Sequence, residues 1–250
     1  MIYVKEIPQF QPCRPAHHSP EDRKEQIQHD IAEQPLPGLA VPEDPPAVGE
    51  VSAPVDGHSG KPHHRKLTPD HIKEAAKKAI DDNFSRYSPV PGYPELKNAI
   101  VAKLKNENGL DYKASQILCS NGAKQSVCNA IMALVNAGDE VIIPAPYWVS
   151  YPQMVLLAEG TPVFVEAKIE ANFKITPEQL EAAITPRTRA LILCSPSNPT
   201  GSVYSQKELE ALKNVLLKHE RIIVIADEIY EHINYVGKHA SMAQFADIKD

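Results

Sequence analysis

Between Leu67 and Asp250 the chain alternates short apolar runs with helix-forming segments, and this alternation limits the fold more than any other feature. The apolar runs have the length of strands and are continuous: 117–119, 141–143, 163–165, 191–194 and 222–225. Continuous apolar strands are typical of a sheet that is covered by helices on both faces. Regular strand–helix alternation favours right-handed crossovers. The sequence therefore predicts an α/β fold, a three-layer α/β/α arrangement around a mainly parallel sheet.

Capping and breaking residues mark the helices between these strands. Thr68-Pro69-Asp70 predicts a helix with Thr68 as its N-cap and Pro69 as its first residue. A second helix is predicted from Pro94 to Asn108, because Gly109 can supply a left-handed stop. Further helices are predicted after Gly122 and after the capping-box patterns at 176–179 and 205–208.

Residues 1–66 differ in composition from the rest of the chain. They contain 11 of the 23 prolines and 6 of the 10 histidines, and they show no sustained helix or strand period. Such a segment cannot bury enough apolar surface to order itself, so we expect it to be disordered. The basic cluster at 63–66 favours a solvated linker over a phosphate or nucleic-acid patch. The sequence thus predicts an unmatched segment, 1–66, followed by a domain, 67–250.

Composition also argues against several classes of protein. A formal net charge of −6 is unsuited to binding a nucleic-acid backbone. There is no run of 18 apolar residues and no signal-like apolar core near Met1, so we expect no membrane partner and a cytoplasmic location. The four cysteines, at 13, 119, 128 and 194, lack metal-ligand spacing. We therefore expect buried free thiols and no metal site.

Ligands of parallel sheets bind where the strands end, so the residues after each apolar run are candidate site residues. The run 117–119 is followed by a small-residue turn that opens a helix, Ser120–Gln125, whose free backbone N–H groups suit a phosphate. Many strand-to-helix turns contain glycine, so this signal alone is weak. The G-x-G-x-x-G fingerprint is absent, which argues against a dinucleotide-binding dehydrogenase.

Two further strand ends carry residues that could contact a planar ligand. Trp148, which follows the second run, can stack on a flat ring, although a tryptophan that packs a loop is the commoner case. Asn198 lies in a turn restrained by two prolines and Gly201, which could orient its amide toward a ligand oxygen. The alternative is a turn asparagine without a ligand.

The last apolar run ends at a carboxylate, Asp227. A buried carboxylate is unfavourable unless it is paired, so it predicts a cationic partner such as a protonated ring nitrogen. Tyr230, three residues later, could donate its phenol to the same ligand. A phosphate, a flat ring, a phenolic oxygen and a ring nitrogen all occur in pyridoxal 5'-phosphate (PLP).

Residues 67–250 resemble the large domain of class I, fold-type I PLP-dependent aminotransferases, and the bacterial aspartate aminotransferases in particular. The resemblance depends on five motifs in the order of that family: 87–92 (YSPVPG), 121–125 (NGAKQ), 146–151 (PYWVSY), 198–201 (NPTG) and 226–230 (ADEIY).

The resemblance implies a role for each candidate residue. Backbone amides of Gly122, Ala123 and Lys124 would bind the PLP phosphate. Trp148 would stack on the ring and contact substrate, and Asn198 would hydrogen-bond the ring oxygen and help to bind substrate. Tyr230 would share that ring oxygen, and Asp227 would keep the ring nitrogen protonated. Tyr87 would reach the phosphate of a partner subunit, which implies a homodimer, and the substrates would be an amino acid and a 2-oxo acid.

The sequence departs from the family at both ends of the match. The resemblance places the Schiff-base lysine, in a Ser-x-x-Lys turn, beyond Asp250, and Lys238 and Lys249 lack that context. Residues 1–250 thus contain no candidate catalytic residue, and we expect them to be inactive alone. The match also begins abruptly at Leu67, which suggests a shifted reading frame or a mispredicted start.

The leading hypothesis is an incomplete aminotransferase with an aspartate-like substrate. Three alternatives stay open: a C–S lyase or related enzyme of the same fold, a catalytically inactive PLP-binding or dimer-forming scaffold protein, and a product without function.

Overall fold

The computed structural model describes residues 2–3 and 68–249. These residues belong to two compact units, one with residues 2–3 and 89–249 and the other with residues 68–88. The predicted disorder of 1–66, the basic cluster 63–66 and Cys13 lie outside the described residues, apart from positions 2 and 3.

The larger unit is built on a five-stranded sheet with the order β1-β5-β4-β2-β3. Parallel pairing joins β3 to β2, β2 to β4 and β4 to β5, whereas β1 pairs antiparallel with β5 at one edge. The predicted, mainly parallel sheet is therefore confirmed. The strands are β1 (Ile2–Tyr3), β2 (Glu140–Ala145), β3 (Thr161–Glu166), β4 (Thr188–Cys194) and β5 (Ile223–Asp227).

Helices connect these strands. The smaller unit contains α1 (Asp70–Asp81). The larger unit contains three short 3-10 turns, at Ala114–Gln116, Ile169–Ala171 and Met242–Gln244. The larger unit contains α2 (Pro94–Lys103), α3 (Ala123–Leu134), α4 (Ser150–Leu157), α5 (Pro177–Ala183), α6 (Gln206–Leu216) and α7 (Ala246–Lys249).

Successive side chains of the central strands pack on opposite faces of the sheet. One set shares a buried core with α5 and α6, and it comprises Ile142, Leu191, Leu193, Val224 and Ala226. The other set shares a core with α3 and α4, and it comprises Val141, Ile143, Ala190, Ile192, Ile223 and Ile225. Because both faces are covered, the central residues of these strands are apolar, and the predicted three-layer α/β/α arrangement is confirmed.

The predicted strand at 117–119 is not a strand in the described residues. Ile117 has an extended backbone, with φ −102° and ψ 126°. However, the hydrogen bond that reaches this segment from a distant part of the chain runs from the Cys119 N–H to the Pro91 carbonyl, at 3.1 Å. An apolar run predicts an extended conformation, but a strand also requires a neighbouring strand to pair with.

The helix ends mostly agree with the sequence signals. Thr176 and Ser205 both form the predicted capping boxes. The predicted start of the first helix is one residue too early, because Pro69 occupies the N-cap position and no side chain caps the helix. The second helix changes to a π-helix over Leu104–Asn108 before Gly109, at φ +69°, ends it.

Two buried polar contacts stabilise the larger unit. Glu140 accepts hydrogen bonds from the Thr185 hydroxyl at 2.6 Å and the Arg187 Nε at 2.8 Å. The Thr185 hydrogen bond, helped by Arg187, lowers the pKa of Glu140 although burial opposes this. The Tyr204 hydroxyl, in turn, accepts the backbone N–H of Ile175 at 2.9 Å.

The backbone conformation and the surroundings of Gly92 require a glycine at this position of the YSPVPG segment. Its φ is +98°, and a Cβ placed there would lie 2.6 Å from the Cys119 Sγ. Gly138 has a similar φ, +83°, but a Cβ there would meet nothing within 4 Å. Gly92 thus allows both a left-handed backbone and a close approach between two segments.

Candidate functional site

The side chain of Asp227 is the most deeply buried of the predicted site residues. It ends β5, pairs in register with Cys194 at the end of β4, and is 3% exposed. Its Oδ2 accepts a hydrogen bond from the Tyr151 hydroxyl at 2.7 Å, and its Oδ1 accepts the N–H of Ile229 at 3.2 Å. Within residues 68–249 no salt bridge reaches it. A carboxylate that has two neutral donors and no cation in this part of the chain suits a ligand that carries positive charge.

The Trp148 ring contacts the tyrosine that donates to this carboxylate. Its plane is perpendicular to the Tyr151 ring, with centroids 5.4 Å apart, and the Lys124 Nζ lies 5.0 Å from the indole centroid. Lys124, Trp148, Tyr151 and Asp227 therefore form one continuous chain of contacts. The fold brings together four side chains from three of the predicted motifs.

The turn before α3 offers hydrogen-bond donors for an anion. Gly122 is the N-cap at φ +87°, and no side chain caps the helix. The Gln125 side chain accepts the N–H of Asn121 at 2.5 Å. The N–H groups of Ala123 and Lys124 lie in the first turn of the helix, where the helix itself supplies no acceptor, so they can bind a ligand. A Cβ on Gly122 would meet nothing within 4 Å, so the approach to these donors is open.

The turn that carries Asn198 is held to the end of β5. The Ser195 N–H donates to the Asp227 carbonyl at 3.1 Å, and the turn itself is closed by hydrogen bonds from Ser197 to Ser202 and from Gly201 to Ser197. Asn198 is half-buried in this turn. The turn that carries Asn198 is therefore attached to the backbone of Asp227.

Tyr230 lies in the loop after β5, and a polar cluster beside it holds that loop. Glu231 contacts the Lys103 ammonium and accepts a hydrogen bond from the Asn108 Nδ2 at 2.7 Å. Burial alone would raise the pKa of Glu231, but the Lys103 and Asn108 hydrogen bonds lower it overall. Tyr230 itself is half-buried.

Tyr87 belongs to the smaller unit, and its side chain is exposed. Its predicted role at a partner subunit stays a prediction.

Two residues beside Asp227 were not among the predicted site residues. Tyr151 is 2% exposed, and burial, followed by the proximity of Cys194 and Asp227, raises the pKa of its phenol. Burial, followed by Asp227, also raises the pKa of the Cys194 thiol, which donates to the Pro196 carbonyl at 3.3 Å. The sequence did contain a signal for Tyr151. Its spacing from Met154 and Val155 places it on the buried, apolar face of α4, where the hydroxyl of a tyrosine needs a polar partner.

The cysteines of the described part are free but less buried than predicted. Cys119, Cys128 and Cys194 are all half-buried. No group of three or more His, Cys, Asp or Glu side chains in the described residues could hold a metal ion. In the same residues, no helix combines the length and apolar character needed to span a bilayer.

A cavity of about 340 Å³ lies away from the predicted cofactor residues. Its lining residues are Val203, Tyr204, Ser205, Gln206, Asn234, Val236, Lys238, His239, Ala240 and Gln244. None of them is a predicted site residue, so the candidate site is the open surface at the carboxyl ends of β2, β4 and β5.

The donor set at these strand ends fits PLP. Backbone N–H groups at a helix N-terminus suit the phosphate, the indole suits the ring, and the buried carboxylate suits the ring nitrogen. The Lys124 ammonium, 5.0 Å from the Trp148 ring centroid, has a charge opposite to that of a phosphate.

Comparison with known proteins identifies the family. The sequence model of the aminotransferases of class I and II matches residues 58–248. The chain is 57% identical over 185 residues to a probable aspartate/prephenate aminotransferase of Rickettsia bellii, a match that covers 73% of this chain and 46% of the relative. It is 58% identical over 166 residues to an aspartate/prephenate aminotransferase of Cereibacter sphaeroides, covering 66% of this chain and 42% of the relative. The chain thus spans less than half the length of these curated relatives.

Comparison with solved structures identifies the same family. The aspartate aminotransferase of Rhizobium meliloti superimposes with a TM-score of 0.72 and 45% identity, over 73% of this chain and 46% of that one. The Thermus thermophilus enzyme, solved with maleate, gives a TM-score of 0.69 and 45% identity, over 71% of this chain and 46% of that one. The three-layer fold, the strand-end site and the extent of the match together show that the chain belongs to the aminotransferase class I and II family.

Proposed function

We propose that the protein to which these residues belong is a PLP-dependent aminotransferase that moves an amino group from an aspartate-like amino acid to a 2-oxo acid. The observation that carries the proposal is Asp227, a buried carboxylate at the end of β5 whose donors among the described residues are neutral. One of these donors, Tyr151, packs its ring against Trp148. The relatives are named for aspartate and prephenate, which supports substrates of the amino acid and 2-oxo acid classes.

Each proposed contact follows from the position of a residue in the fold. The N–H groups of Ala123 and Lys124, after the open turn at Gly122, would bind the phosphate. Trp148 would stack on the ring, and Asp227 would accept a hydrogen bond from the ring nitrogen and hold its proton there. When PLP is bound, it supplies an electron sink for the negative charge left on an amino acid that has lost its α-proton.

Asn198 and Tyr230 would orient the ring from its other side. Asn198 extends from the turn that is hydrogen-bonded to the Asp227 backbone, and Tyr230 follows β5 directly. Both side chains carry a donor that suits a phenolic oxygen. We also propose that Asn198 and Trp148 contact the substrate, and that Tyr87 reaches the phosphate bound by the second subunit of a homodimer.

We propose that residues 1–250 alone bind PLP weakly and without a covalent bond. Asp227 is followed by Lys238 and Lys249, and neither lies in a Ser-x-x-Lys turn. Covalent attachment in this family requires a lysine amine placed against the aldehyde. The described residues would supply phosphate, ring and nitrogen contacts, but after β5 they include no lysine in a Ser-x-x-Lys turn.

The single tryptophan allows a direct test of this proposal. Because Trp148 is the only tryptophan, its emission reports on a ligand that stacks beside it. Titration of the 250-residue chain with PLP should quench this emission with a saturable curve, whereas pyridoxal, which lacks the phosphate, should bind more weakly. Borohydride treatment followed by mass spectrometry should find no attached PLP. An absence of saturable quenching, or equal affinity for pyridoxal and PLP, would overturn the proposed site.

A further inference from the structure

Tyr151 is a buried residue that the proposed function leaves without a role. It lies in the first turn of α4, and its side chain belongs to the core shared with α3 and β2. An aromatic ring in such a core has no need of a hydroxyl, yet this hydroxyl is 2.7 Å from Asp227 Oδ2. Since a carboxylate only accepts hydrogen bonds, Tyr151 is the donor.

The Tyr151 contact is one of two that fix the Asp227 carboxylate. The Ile229 N–H reaches Oδ1 at 3.2 Å, while Tyr151 reaches Oδ2. With one donor on each oxygen, rotation of the carboxylate would break both contacts. A carboxylate has about four acceptor positions, so two contacts leave room for a further donor.

Tyr151 is itself held in place. Its N–H donates to the Trp148 carbonyl at 3.0 Å, and its ring meets the Trp148 indole edge to face. Burial and the neighbouring Cys194 and Asp227 raise the pKa of the phenol, so the proton that it donates stays on the tyrosine. Tyr151 therefore connects Trp148, on which the ring is proposed to stack, with Asp227, which is proposed to bind the ring nitrogen.

We propose that Tyr151 is a positioning residue that holds the Asp227 carboxylate in the orientation needed to receive the ring nitrogen of PLP. This inference rests on the proposed function, because it assumes that the ring binds at Trp148 and Asp227. Tyr151 need not touch the cofactor. It acts through Asp227, so its effect depends on the presence of a nitrogen atom in the ligand ring.

The test compares two ligands and two single-hydroxyl deletions. The ligands are PLP and its carbocyclic analogue, in which a C–H replaces the ring nitrogen, and binding is measured by quenching of Trp148. The variants are Tyr151→Phe and, as a matched control, Tyr147→Phe. Tyr147 lies four residues earlier and stacks on Phe164 with ring centroids 5.0 Å apart. Circular dichroism first establishes that each variant is folded.

We expect Tyr151→Phe to weaken PLP binding by about tenfold, the effect of one lost hydrogen bond to a charged group. Its affinity for the carbocyclic analogue should equal that of the wild-type chain, and Tyr147→Phe should change neither affinity. An equal loss for both ligands would mean that the hydroxyl only supports the fold, which overturns the inference and leaves the proposed function intact. If the wild-type chain binds no PLP, the proposed function fails and the inference fails with it.

A second variant keeps the test decisive if Tyr151→Phe does not fold. Replacement of Tyr151 alone by 3-fluorotyrosine keeps the ring and the hydroxyl and strengthens the hydroxyl as a donor. A change in the ratio of the two affinities supports the inference. An unchanged ratio overturns it, because the donor strength would then have no effect through Asp227.

Discussion

Replacement of Asp227 by asparagine and by alanine should separate cofactor binding from stability. Asparagine keeps an acceptor for the Ile229 N–H and can donate to the Tyr151 hydroxyl, so both contacts of the wild-type side chain have a substitute. Alanine removes both, and it leaves the buried Tyr151 hydroxyl and the Ile229 N–H without their carboxylate partner. The two variants therefore lose the same charge but differ in what they leave behind.

The expected magnitudes differ accordingly. A hydrogen bond to a charged group contributes about 1.5–3 kcal/mol, so both variants should bind PLP roughly ten- to a hundredfold more weakly. An unsatisfied buried donor costs about 1–3 kcal/mol, so Asp227→Ala should lose about 3 kcal/mol of unfolding free energy. In Asp227→Asn the loss of charge-assisted hydrogen bonds is offset by the removal of a buried charge, and its stability should stay within about 1 kcal/mol of wild type.

Two measurements on the same samples check this reasoning. Quenching of Trp148 gives the PLP affinity, and thermal unfolding followed by circular dichroism gives the stability. In a domain of this size 1 kcal/mol corresponds to about 2–4 °C, so Asp227→Ala should unfold about 6–12 °C lower and Asp227→Asn within about 4 °C. The reasoning is wrong if Asp227→Asn binds PLP as tightly as wild type, or if it is as unstable as Asp227→Ala.

Three further predictions concern residues away from the site. Tyr204→Phe should lower the unfolding free energy by about 1–3 kcal/mol, because the Tyr204 hydroxyl accepts the buried N–H of Ile175. Urea unfolding measures this loss. The control Tyr235→Phe, at a 91% exposed position, should have no effect. Gly92→Ala should lower the thermal midpoint more than Gly138→Ala does, because both residues have positive φ but only a Cβ at position 92 meets a sulfur atom. Equal decreases would contradict the proposed steric cause. The folded-state pKa of Glu140 is lowered, so the Glu140 carboxylate stabilises the fold above its unfolded pKa of about 4.3, and this effect is lost as pH falls toward the folded pKa. The thermal midpoint of Glu140→Gln should therefore fall less than that of wild type between pH 5 and pH 3. Parallel curves of midpoint against pH would refute this.

The sequence predicted the class of fold because burial patterns are local. Strands β2, β4 and β5 are buried on both faces, and their central residues are therefore apolar, a pattern that is visible without a structure. Capping boxes at Thr176 and Ser205 depend on two residues three positions apart, so they too are visible in the sequence. Pairing is not local: Ile117 is extended, but whether a strand forms there depends on a partner that the apolar pattern does not specify.

The site was predicted in part for the same reason. Asp227 and Trp148 follow apolar runs, so their placement at strand ends follows from the pattern. The contact between Tyr151 and Asp227 joins residues 76 positions apart, and no spacing rule connects them. The π-helical turn at 104–108 was missed as well, because the sequence shows a helix followed by glycine but not the wider turn between them.

That wider turn links two parts of the chain whose motions would otherwise be independent. The π-helix ends at Asn108, whose side chain binds Glu231 in the loop after β5, and Lys103 of α2 binds the same carboxylate. Opening of α2 therefore removes the anchor of the Tyr230 loop at the same moment. In hydrogen exchange, the amides of α2 and of this loop should share one opening free energy and behave as a single cooperative unit. The stability of α2 would then determine how long the Tyr230 loop stays anchored through Glu231.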